Sequence, residues 1–95
     1  MSLVALSSLI VTRLLYDKDA KKASGVEVLD AETNQTYEFK AKVVFLCASS
    51  FNSTWVLMNS ATDVWPDGLG SSSGELVHNA MDHHFRVGAG GLVEG

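Results

Sequence analysis

The sequence predicts an α+β chain, a three-stranded antiparallel β-meander followed by a buried strand and a short helix. Three observations carry this reading. Residues 9–41 contain three short apolar or alternating runs separated by polar turns. Residues 43–47 (Val-Val-Phe-Leu-Cys) are apolar without alternation, the pattern of a strand covered on both faces. Asn52-Ser53-Thr54-Trp55-Val56-Leu57-Met58 then sets polar cap candidates before an apolar run, which is a helix start.

The first run, residues 9–16 (Leu-Ile-Val-Thr-Arg-Leu-Leu-Tyr), is rich in β-branched and aliphatic residues and short for a helix. It reads as a strand with Val11, Arg13 and Leu15 on one face. Residues 17–24 form a polar link in which Lys18, Lys21 and Lys22 are solvated, and Gly25 ends it. Residues 25–30 make the second strand, with Val26 and Val28 opposite Glu27 and Leu29. Residues 31–35 are a turn, since Asn and Asp bond locally to backbone and tolerate left-handed conformations. Residues 36–41 alternate, with Tyr37, Phe39 and Ala41 on one side and Thr36, Glu38 and Lys40 on the other.

The meander thus occupies residues 5–41. Residues 42–95 hold the buried strand, the helix and a loop region. Because the polarity pattern changes at Val43, the strand at 43–47 is expected in a different sheet, with the small residues Ala48-Ser49-Ser50 at its carboxyl end. Ligands of open α/β sheets gather beyond such strand ends. Pro66, Asp67-Gly68, Gly70 and the serines at 71–73 make residues 59–74 a loop. Residues 75–81 have room for one or two helical turns, and 86–95 are glycine-rich without a stop signal. A strand buried on both faces needs neighbours that this chain hardly supplies. The chain therefore reads as a piece of something larger.

Composition narrows the function classes. A chain of 95 residues is one small domain, burying only about 60–65% of its unfolded surface. Its net charge of −4, with no basic cluster beyond Lys21-Lys22, argues against nucleic acid or an anionic membrane as partner. No apolar run reaches the roughly 18 residues of a membrane span. The first ten residues lack the basic start of a secretory signal. Cys47 is the single cysteine, so no internal disulfide is available, and its apolar setting predicts a buried, unreactive thiol.

Few residues have the spacing of a reaction centre. His78 and Asp82 lie four apart, but His83 and His84 are adjacent and would point differently, and no second pair stands at zinc spacing. No metal site is expected. Ala48-Ser49-Ser50 is not a nucleophile elbow, and neither Gly-x-Gly-x-x-Gly nor a phosphate loop occurs. Asn34-Gln35-Thr36 and Asn52-Ser53-Thr54 match the glycosylation pattern by chance.

An ordered set of short motifs is more informative. Val11-Thr12-Arg13, Gly25-Val26-Glu27-Val28, the apolar run ending in Cys47-Ala48-Ser49, Asn52-Ser53-Thr54, Gly68-Leu69-Gly70 and Asn79-Ala80-Met81-Asp82-His83 follow one another along nearly the whole chain. This series resembles an internal part of the α/β FAD-binding domain of the glucose–methanol–choline (GMC) oxidoreductases. The resemblance implies a parent flavoprotein that oxidises a small alcohol or sugar-like substrate by hydride transfer to FAD.

It also implies site residues. Val11 would bond the adenine edge of FAD through its backbone, and Cys47, Ala48 and Ser49 would lie against the adenosine side. Ser49 stands where the family has glycine, and Thr54 where it has proline. The family's dinucleotide glycine motif would lie before this stretch and its catalytic pair after it, so His83 and His84 inherit no catalytic role. The chain alone is therefore expected neither to retain FAD nor to catalyse. Its uncovered strand edges and apolar faces are expected to drive self-association. A free-standing β-rich interaction module without cofactor is the alternative, because fold does not fix function.

Overall fold

The computed structural model describes residues 7–81, 83, 88 and 90–92. Strands β1 (Leu9–Asp17), β2 (Lys22–Asp30) and β3 (Thr36–Lys40) form one antiparallel sheet in the order β1-β2-β3. Among the described residues an α-helix, α1 (Ser49–Asn59), and a 3-10 turn at Ser71–Ser73 follow. The chain is α+β, as its sequence predicts. Among the described residues no helix is long and apolar enough to cross a membrane.

Local chemistry closes both hairpins. At the first, the Asp17 carboxylate accepts the N–H groups of Asp19 and Ala20, each at 3.0 Å. At the second, the Asp30 carboxylate accepts from Glu32 at 2.8 Å and Thr33 at 3.3 Å, which holds its pKa below the ordinary value. Lys21 and Asn34 sit at φ 52° and 59°, the left-handed region that such turns demand and Asn tolerates. The strand β2 begins at Lys22, three residues ahead of the predicted Gly25, because Ala23 and Lys22 pair with Tyr16 and Asp17 after a register shift. Gly25 itself is fixed by crowding. A Cβ there would stand 2.1 Å from the Phe39 carbonyl oxygen of β3.

The predicted face of Val11, Arg13 and Leu15 is not kept. A bulge between Val11 and Arg13 shifts the alternation, as an unpaired extra residue does. Leu14 becomes the buried residue of β1, and with Val28 and Val56 it forms the small apolar core of the described chain.

Two expectations for residues 43–47 are corrected. They form no strand and no helix, and connect β3 to α1 as irregular backbone. Val43 is 67% and Phe45 85% exposed, and the Cys47 thiol is exposed rather than buried. A continuous apolar run becomes a buried strand only where another strand and covering layers stand beside it. No described residue supplies that strand.

The helix starts at Ser49 rather than Asn52. Its N-cap, Ala48, makes no capping bond through its side chain. Instead Ser53 Oγ reaches back to accept the Ala48 N–H at 3.2 Å. At the other end Ser60, only 1% exposed, ties helix to sheet. Its hydroxyl donates to the Val56 carbonyl at 2.6 Å and accepts the Leu14 N–H at 2.7 Å. That N–H belongs to the outer edge of β1, which has no neighbouring strand in the sheet.

The loop after α1 folds back over the same corner. Leu69 N–H donates to the Leu57 carbonyl at 2.9 Å, and Trp65 packs edge-on against Tyr16 at 6.0 Å. Lys18 pairs with Asp63. At Gly68 (φ 110°) a Cβ would meet Leu57 O and Met58 Cα at 2.9 Å. Residues 75–81 contain one turn, closed by His78 N–H to Glu75 O at 3.2 Å. Most of the predicted glycine-rich tail at 86–95 lies outside the described residues.

Ser60→Ala removes the acceptor for the buried Leu14 N–H, and an unsatisfied buried group costs about 1–3 kcal/mol. Urea unfolding is expected to show that loss, with the exposed control Ser72→Ala within about 0.5 kcal/mol of wild type. Equal stability of the two variants would mean that α1 is not held by this bond.

Candidate cofactor-binding site

The cavity that matters lies between the start of β1 and the first turns of α1. It has a volume of about 460 Å³ and is lined by Ile10, Val11, Phe45, Leu46, Cys47, Ala48, Asn52, Trp55 and Val56. Three of the four residues singled out in the sequence, Val11, Cys47 and Ala48, therefore share one cavity. Ser49 does not line it. The sequence offered Asn52 as a cap candidate and Trp55 only as part of the apolar run of the helix. The structure places both on the cavity wall, with Trp55 52% exposed. Their spacing with Val56 at i, i+3 and i+4, one helical face, was the available signal.

The walls are mostly apolar, and the size falls in the range of small-molecule sites. The Ala48 N–H is already engaged by Ser53 Oγ, so Ala48 offers its methyl group and not its amide. Adjoining the cavity, and sharing Asn52 and Trp55 with it, a wider groove of about 620 Å³ runs along Phe51, Met58 and Val77. Among the described residues no three His, Cys, Asp or Glu side chains gather as metal ligands. Of the histidine cluster, Asp82 and His84 lie outside the described residues.

Val11 is positioned by its neighbours. The Thr12 hydroxyl donates to the Glu27 carboxylate at 2.8 Å, and Arg13 Nη2 donates to its other oxygen at 2.8 Å. This clamp sits at the bulge beside Val11. The Arg13 hydrogen bond, then the Thr12 hydrogen bond, hold the Glu27 carboxyl below its ordinary pKa, outweighing partial burial. Two motifs that stand fourteen residues apart in sequence, Val11-Thr12-Arg13 and Gly25-Val26-Glu27-Val28, are thus one physical unit.

The family model for GMC oxidoreductase matches residues 2–84. The chain belongs to the GMC oxidoreductase family. It matches the family's N-terminal, FAD-binding domain, as the motif series implied. Over 66 residues it is 36% identical to a 2-methyl-1,2-propanediol dehydrogenase of Mycolicibacterium austroafricanum. That similarity takes in 70% of this chain and 12% of the relative, so the GMC chain here spans a small part of the relative's length. No solved structure matches it significantly.

The backbone at Ser49 is of a kind that suits glycine. Ser49 sits at φ 65°, a conformation that costs a residue with a Cβ about 1–2 kcal/mol and glycine almost nothing.

Two outcomes test this local architecture. Ser49→Gly is expected to stabilise the chain by about 1 kcal/mol, read as a raised urea midpoint. An unchanged or lowered midpoint would deny the strain. For Glu27 the sign follows from the lowered folded-state pKa. The clamp contributes fully above the unfolded glutamate pKa and is lost as pH falls through the folded value. Wild type should be more stable than Glu27→Gln near pH 7, and the gap should close as pH falls below the ordinary glutamate range. A gap constant down to pH 2 would exclude an ionised clamp.

Proposed function

We propose that this chain forms the adenosine-side wall of the FAD site in a flavin-dependent oxidoreductase, which oxidises an alcohol (CH–OH) group. The observation that carries the reading is the single apolar cavity shared by Val11, Cys47 and Ala48. The parent's substrate is a small alcohol or sugar-like molecule. Support for an alcohol comes from the relative's name, a propanediol dehydrogenase.

FAD, when bound, would accept the hydride and so supply the redox chemistry. The chain's own residues bind and orient. Ile10, Leu46 and Val56 exclude water from the ring's faces, and Cys47 and Ala48 close the wall with small side chains. Val11 would offer its backbone to the base edge, held in place by the Thr12–Arg13–Glu27 clamp. Ser49 acts through the turn that sets Ala48 against the cavity. No residue of this stretch has a catalytic role in the proposal.

The uncovered apolar residues Val43, Phe45, Phe51 and Met58 support self-association of the isolated chain as a second element of the proposal. In a longer parent such faces would be covered from within.

The isolated chain is expected to bind FAD weakly and to be inactive. A backbone hydrogen bond nets about 0.5–1.5 kcal/mol, whereas micromolar affinity needs about 8 kcal/mol. FAD's pyrophosphate is normally held at a helix N-terminus behind a glycine-rich turn, and this sequence has no such motif. Calorimetric titration giving a Kd below about 1 μM would overturn the partial-site reading. In the full-length flavoprotein, Val11→Ala should retain most FAD, while Val11→Pro, which lacks the N–H, should lose it. Equal loss in two folded variants would remove Val11 from the site.

A further inference from the structure

The cavity beside Val11 is apolar on nearly every side, and its polar side chain is unlike the rest. Asn52 sits in the first turns of α1 and is one of the residues that line the cavity, bordering the neighbouring groove as well. Its helix neighbours are committed elsewhere. Ser53 Oγ accepts the Ala48 N–H, and the Thr54 hydroxyl donates to the Ser50 carbonyl at 2.8 Å. The Asn52 carboxamide makes no such bond among the described residues. A carboxamide presents a donor and an acceptor side by side. That is the complement of an adenine edge, where an exocyclic amino donor adjoins a ring-nitrogen acceptor.

We propose that the Asn52 carboxamide reads the base in this cavity, accepting a hydrogen bond from the adenine amino group. The proposal rests on the assignment of the cavity to the adenosine end of FAD, and it adds the residue that selects the base. The aromatic wall of Trp55 and the aliphatic walls of Ile10 and Val56 would hold any purine by its faces. They cannot tell one purine from another. Asn52 is able to do so, because its oxygen favours a base that presents an N–H donor, such as the adenine amino group, over one that presents none.

The test uses the isotope-labelled 95-residue chain and two probes, adenosine and purine riboside, which lacks the amino group. Adenosine at millimolar concentration is expected to shift the amide signals of Val11 and Ala48 and the side-chain NH2 of Asn52. Purine riboside should bind about 3- to 10-fold more weakly, the worth of one hydrogen bond. In Asn52→Leu, which matches the volume without the polar group, and in Asn52→Ala, the two ligands should bind equally. If the leucine variant loses its amide dispersion, the alanine variant decides. A preference for adenosine that survives the substitutions would overturn the role of Asn52 while leaving the cavity assignment intact. Adenosine that leaves the Val11 and Ala48 signals unmoved in the wild type would overturn both.

Discussion

The serine hydroxyl at position 60 is the point on which the arrangement turns. It accepts from the outer edge of β1 and donates into the last turn of α1, so one buried group satisfies a strand edge and a helix carbonyl at once. Without it the Leu14 N–H would face an apolar corner unpaired, and α1 would rest on the sheet through Val56 alone among its buried residues. The loop packing of Trp65 on Tyr16 and of Gly68 on Leu57 reinforces the same corner. The cavity exists because this tie sets the start of α1 opposite the start of β1.

A second constraint acts just before Leu14 in β1, at Thr12 and Arg13. The Glu27 carboxylate spans Thr12 and Arg13 and so holds a bulge in a strand that would otherwise continue its alternation. The consequence is an inversion of faces, since a one-residue shift moves every later side chain to the other side of the sheet. Leu14 turns inward toward the helix, while Val11 stays at the cavity. The same few residues therefore set both the core and the proposed ligand wall.

The remaining apolar surface has a different character. Phe51, Trp55 and Met58 form a stripe along α1, and residues 43–47 expose alternate large side chains. This surface is large for a chain with so small a core. The similarity to a dehydrogenase of which only 12% is matched agrees with a stretch whose contacts lie mostly with other parts of a longer fold.

Much of the meander was legible in the sequence, because hairpins are local. Asp17, Asp30 and Asn34 specify their turns through bonds to their own neighbours, and the strand ends fall within three residues of the alternation pattern. The family was legible too, through an ordered series of motifs. Three of the four proposed site residues did converge, although their roles rest on the proposal.

What only the tertiary structure decided depends on contacts between distant residues. The bulge at Thr12 requires Glu27, the burial of Ser60 requires Leu14, and the placement of Asn52 and Trp55 at the cavity requires α1 to dock on β1. Residues 43–47 show the same limit from the other side. Their apolar run expresses a preference for burial, but a strand takes shape only when a partner offers its edge, and the sequence of one segment does not contain that partner.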